Sequence, residues 1–158
     1  MNRAPQRNFF IYRTEYGPVS IGAYKDNICR MVLGNQLLEG EKRPSAVTNK
    51  CANQLMEYFS GKRTVFDVPI LLEGSDFQLK VWNRILQIPY AQTCTATDVA
   101  QLIGHPKASS AVGSAIRQNP LVILVPAHRV VTTSGRIEAN DKNAQLRRAF
   151  LELERRYA

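Results

Sequence analysis

Short apolar stretches broken by turn residues run through the first part of the chain. In "NFFIYRTEYGPVSIGAYKDNICRMVLGN" the breaks fall at Tyr16-Gly17-Pro18 and Lys25-Asp26-Asn27, which predicts an antiparallel meander. "GEKRPS" then reads as a polar loop. The helical spacing of Cys51, Ala52, Leu55, Met56 and Phe59 predicts a helix capped by Thr48 and stopped at Ser60-Gly61. "VFDVPILLEGS" reads as an extended link or edge strand, because Pro69 cannot donate to a ladder.

From Ser75 onward the period becomes helical. Asp76 is placed to cap a helix carrying Phe77, Val81, Trp82 and Ile85, ending near Ile88-Pro89. Thr95 with Asp98 three residues on forms a capping-box pattern, followed by Val99, Ala100, Ile103 and Gly104. After "GHP" a second helix is expected over 107–118 with Ala111, Val112, Ala115 and Ile116 inward. Two helices joined by a glycine-containing turn make a helix-turn-helix, whose second helix usually enters a major groove. The apolar run 121–125 is strand-sized, and a last helix over 142–156 is expected to bury Leu146, Ala149, Phe150 and Leu153. The chain therefore divides into an α/β part, residues 1–74, and a mainly α part, residues 75–158.

Composition narrows the use of such a fold. The 158 residues are 44% hydrophobic and carry a formal charge of +8, the balance of a globular protein with a polyanionic partner, most simply nucleic acid. No apolar run approaches the ~20 residues of a membrane-spanning helix, and "MNRAPQRNFF" lacks the apolar core of a signal peptide. Cys29, Cys51 and Cys94 are far apart, no C-x-x-C pair exists, and His105 and His128 are the two histidines, so no metal site is expected. These features predict a reduced, intracellular protein of the cytoplasm, nucleoid or nucleus, with no membrane association.

Three stretches carry a specific resemblance: "FQLKVWNRILQIPYAQT", "VAQLIGHPKASSAVGSAIRQNPLVILVPAHRVV" and "SGRIEANDKNAQLRRAFLELE". They resemble the O6-alkylguanine-DNA alkyltransferase family, and "GPVSIGAYKDNICRMVL" and "CANQLMEYFSGKRTVFDVPI" resemble that family's N-terminal domain. The resemblance implies a ribonuclease-H-like α/β domain, then a mainly α domain with a helix-turn-helix. It implies a monomer without cofactor, bound to double-stranded DNA containing alkylated guanine. In that family the second helix lies in the minor groove, the damaged base is flipped into a pocket, and a cysteine takes the alkyl group irreversibly.

By the same resemblance His128 matches the base beside the nucleophile, Glu154 the carboxylate that orients it, and Asn119 the brace of the preceding segment. Lys107, Ser114 and Arg117 fall near DNA, together with Thr95, Ala96, Ser110 and Arg129. Val130, Ala139, Asn140 and Asp141 map to the base pocket. The nucleophile position is Ala127, and a methyl group cannot attack carbon. The family's phosphate-pushing tyrosine aligns with Ala96, its gap-filling arginine with Ser110, and its Gly-Tyr-x-Gly-Gly loop with 139–143.

Extruding a base costs roughly a few kcal/mol that an inserted side chain partly offsets, so these losses weaken capture of an extrahelical base. Three readings follow: a non-transferring relative that binds lesions and recruits a repair-protein partner; an active transferase whose cysteine has been replaced by alanine; or a diverged scaffold used as a binding module. Cys94 has no base beside it in sequence and is expected as a loop residue or half-buried filler, whereas Cys51 on an apolar helix face and Cys29 in a strand are expected in the core.

Overall fold

The computed structural model describes residues 6–137 and 142–158. The chain forms two compact units. One holds the residues up to Glu73 together with Pro120–Val122; the other holds Gly74–Asn119 and Ile123–Ala158. The division thus departs from a single cut after residue 74, because three residues of the later chain return to the first unit.

In the first unit β1 (Arg7–Thr14), β2 (Gly17–Tyr24) and β3 (Asn27–Leu33) form the antiparallel meander expected from the turn spacing. The order is β3-β2-β1-β4, where β4 (Glu41–Lys42) runs parallel to β1. The polar stretch expected as loop thus supplies two residues of edge strand. Central β2 is covered on both faces: Val19, Ile21 and Ala23 are buried, and so is Ser20 on the other side. The Ser20 hydroxyl donates to the Gly34 carbonyl at 2.8 Å and accepts from the Gln36 amide at 2.9 Å, tying the loop to the sheet. Gly40 ends that loop at φ +101°, so close to β1 that a Cβ there would lie 2.1 Å from the Arg7 carbonyl oxygen. Only glycine meets both demands.

Helix α1 (Ala46–Phe59) is capped by Ser45, not Thr48; Thr48 is the third helical residue and closes a capping box with Ser45. Cys51, Ala52, Leu55 and Phe59 are buried as the spacing required, whereas Met56 is exposed. Two parallel bridges, Ile28 to Ile70 and Met31 to Leu121, add single residues of two later segments to β3.

In the second unit α2 (Asp76–Ile85) is also capped by an earlier serine, Ser75, one residue before Asp76, in a box with Gln78. It buries Val81, Trp82 and Ile85, and the Trp82 indole donates to the Ala115 carbonyl at 2.9 Å. Thr95 caps α3 (Ala96–Leu102) through the expected box with Asp98, with bonds of 3.0 Å both ways. A turn containing Gly104 at φ +82° leads to α4 (Ser109–Arg117), completing the helix-turn-helix. Lys107 lies in that turn, not in the helix; of the four residues expected inward, Val112 and Ala115 are buried, Ile116 is half-buried and Ala111 is exposed.

Strand β5 (Cys94–Thr95) pairs in parallel with β6 (Val130–Val131). Helix α5 (Lys142–Tyr157) buries Ala144, Phe150, Leu151 and Leu153 and leaves Leu146 and Ala149 half-buried.

The apolar run 121–125 is not a strand. After Leu121 and Val122 the chain turns at Ile123, a β-branched residue at φ +73°, where side chains of this type are strained. The Asn119 amide, donating to the Val125 carbonyl at 2.9 Å, holds the two ends of this bend together.

Candidate functional site

The bend delivers Pro126 and a single 3₁₀ turn, Ala127–Arg129, into the interior of the second unit. Ala127, His128 and Arg129 are all buried, and they meet Glu154 on α5, itself fully buried. Among the described residues, donors from His128, Arg129 and Ala91 converge on this carboxylate. His128 Nε2 lies 2.5 Å from Oε2, and Arg129 grips both oxygens through Nε and Nη2 at 2.9 Å each. The Ala91 amide adds a bond of 2.9 Å to Oε1. Arg129 also donates through Nη1 to the Ile88 carbonyl at 2.7 Å and stacks over the Tyr90 ring at 5.7 Å.

Burial pushes the His128 pKa below its ordinary value, and the bond and charge of Glu154 only partly oppose this. The imidazole is therefore neutral at neutral pH. Since a carboxylate can only accept, Nε2 carries the proton and Nδ1 is the basic nitrogen. The arrangement orients a base. The side chain at 127, however, is a methyl group, with nothing for that base to ionise.

Of the residues expected at the reactive position, the structure thus joins His128 to Glu154 and gives Asn119 its bracing bond. Arg129, which the resemblance sets near DNA, is instead buried, its guanidinium committed to Glu154, Ile88 and Tyr90. Its partner lies 25 residues away, so nothing local in the sequence betrays the pairing.

Thr95, Ala96, Ser110, Arg117 and Val130 do lie together, lining one open depression of about 690 Å³ on the second unit. Lys107 and Ser114 are not among its lining residues. Residues missed at the sequence level add to it: the hydroxyls of Thr97, Ser109, Thr132 and Thr133, and the cations Arg136 and Arg147. The signal available for Arg147 was its position beside the buried stripe of the last helix. Ala139, Asn140 and Asp141 lie outside the described residues.

Cys94 sits in β5, its Cα paired with that of Val130, and is half-buried. Burial, then Asp98, pushes its thiol up, and Arg84 offsets part of this. Burial alone pushes the Cys51 thiol up to about 12. Cys29 is also raised by burial, against the opposing charge of Arg7. None of the three is poised as a thiolate.

Comparison with known proteins places both units. Residues 10–72 match the ribonuclease-like domain of 6-O-methylguanine DNA methyltransferase, and residues 76–156 match its DNA binding domain. The inducible methylated-DNA–protein-cysteine methyltransferase of Bacillus subtilis is 35% identical over 158 residues, covering 94% of this chain and 85% of that protein. The methylated-DNA–protein-cysteine methyltransferase of Mycobacterium tuberculosis H37Rv is 36% identical over 152 residues, covering 91% and 92%. The crystal structure of Mycobacterium tuberculosis OGT in complex with DNA superposes with a TM-score of 0.88 at 34% identity, covering 96% of this chain and 94% of that one.

Fold and site thus define a two-part protein, a ribonuclease-like α/β domain followed by a helical domain of the DNA-binding type. The chain belongs to the 6-O-methylguanine DNA methyltransferase family.

Proposed function

We propose that the protein is a DNA repair homologue that binds double-stranded DNA, alkylated guanine included, and does not accept an alkyl group. The observation that carries this reading is the buried methyl group of Ala127 beside an otherwise complete His128–Glu154–Arg129 network. Transfer requires a sulfur lone pair to form a bond to the alkyl carbon as the carbon–oxygen bond to guanine breaks. Residue 127 has no lone pair to give. The arginine- and hydroxyl-lined depression that includes Thr95, Ser110 and Arg117 supports the DNA-binding half of the reading, since such groups hold phosphates without reading bases. On this reading the protein is a monomer, acts where the cell keeps its DNA, and leaves the chemistry to a repair-protein partner.

A second reading is favoured by the intactness of the network: an active methylated-DNA–protein-cysteine methyltransferase in which alanine replaces cysteine. One experiment separates the two. The protein is incubated with duplex bearing radiolabelled O6-methylguanine, and so is Ala127→Cys. No label on either variant, with duplex still bound, supports the first reading. Strong labelling of Ala127→Cys supports the second. Label on the unaltered protein overturns both.

A further inference from the structure

We infer that Arg148 and Arg155 on α5 are positioning residues for DNA binding, holding the loop 132–137 where it presents Arg136 and its threonines to the duplex. This rests on the duplex-binding reading above.

The loop's own bonds gather on Thr132. Its N–H donates to the Arg136 carbonyl and its carbonyl accepts from Gly135 N–H, each at 2.8 Å. Its hydroxyl lies 2.9 Å from that of Ser134 and accepts from Arg136 N–H at 3.4 Å. Thr132, Thr133, Arg136 and Ile137 all line the depression, so the loop's height matters to whatever lies there. Anchoring of the loop to the rest of the unit comes from α5. Arg148 Nε donates to the Ile137 carbonyl at 2.8 Å, and Arg155 Nη2 donates to the Gly135 carbonyl at 3.3 Å. Between these two bonds the Ile137 side chain is buried in a cluster with Val131, Ala144 and Leu151.

Arg148, Leu151 and Arg155 are spaced three and four residues apart, so one face of α5 meets the loop with a leucine flanked by two cations. These guanidiniums are turned to backbone carbonyls and are not among the residues lining the depression, unlike Arg117, Arg136 and Arg147. Charge-assisted bonds of this kind are about twice as strong as neutral ones. Their place in the fold is to set the loop, and the loop sets Arg136.

Such an arrangement predicts coupling between Arg148 and Arg136, not independent contributions. Affinity for a plain duplex is measured at low salt for the unaltered protein, Arg148→Met, Arg136→Gln and the double variant, with Trp82 fluorescence confirming that each remains folded. Each single change is expected to weaken binding roughly fivefold, and the double change no more than about twofold beyond Arg136→Gln, because Arg148 acts through the loop. Losses that multiply would show Arg148 to be an independent phosphate contact and overturn the proposal. So would an Arg148→Met affinity within twofold of the parent. Should Arg148→Met not fold, the same cycle with the more exposed Arg155→Met decides the matter by the same criteria. A parent protein that binds no duplex at all overturns both this inference and the duplex-binding reading; binding without coupling overturns the inference alone.

Discussion

Replacing Glu154 by glutamine tests whether the buried carboxylate holds the second unit together. The swap preserves shape and removes one negative charge. Both oxygens of Glu154 accept from Arg129, so whichever way the new amide is turned its NH₂ group faces an arginine N–H. The guanidinium, also buried, is left without its counter-charge. Breaking a buried pair by removing one partner costs about 3–5 kcal/mol. Some hydrogen bonding survives through the remaining oxygen, which favours the lower end, about 3 kcal/mol.

At roughly 2–4 °C per kcal/mol for a chain of this size, the midpoint of thermal unfolding should fall by roughly 6–12 °C. The assay is specific to the right unit, because the single tryptophan, Trp82, lies in α2 beside Ala115. Adding Arg129→Met removes the stranded charge, so the double variant should be more stable than Glu154→Gln alone. A shift below about 2 °C, or a double variant less stable than the single, would refute the account of Glu154 as an electrostatic hub.

Acid should act through His128. Its folded pKa is depressed below 6.5, so between the two values the unfolded chain binds more protons, and stability is full above 6.5 and lost as pH falls below it. The Trp82 unfolding midpoint should be flat above about pH 7.5 and decline below about 6.5, and His128→Asn should flatten that decline. In the first unit Gly40→Ala should cost more than about 2 kcal/mol by circular dichroism melting, since the new methyl group meets the Arg7 backbone. Gly17→Ala, at φ +93° but in open space, should cost roughly 1 kcal/mol, and equal losses would refute the packing account. Alkylation of the native protein with iodoacetamide, followed by peptide mass mapping, should modify half-buried Cys94 before Cys51. The reverse order would contradict their environments.

Much of this was legible in the sequence, where the physics is local. The Thr95–Asp98 box and the Val81–Trp82–Ile85 stripe needed only helical spacing. The resemblance supplied the pairing of His128 with Glu154. Other features turn on particular hydrogen bonds, short-range and long-range, that composition and period do not reveal. Serine took the cap from Thr48 and from Asp76 because Ser45 and Ser75 each bond the third residue of their helix in return. The run 121–125 has strand composition, yet Asn119 curls it by bonding Val125. Arg129 resembled a surface cation until α5 brought Glu154 to it. The carbonyl-directed roles of Arg148 and Arg155 leave no mark on composition or period.

The excursion of Pro120–Val122 onto β3 has a practical consequence for dissecting the protein. A fragment starting at Gly74 would carry Leu121, fully buried in the intact chain, with no β3 to receive it. The complementary fragment would lack the segment that bonds Met31. Exposing one such leucine forfeits about 1.5–3 kcal/mol and offers a sticky spot to neighbours. Proteolytic separation of the halves should therefore yield pieces less soluble than the parent.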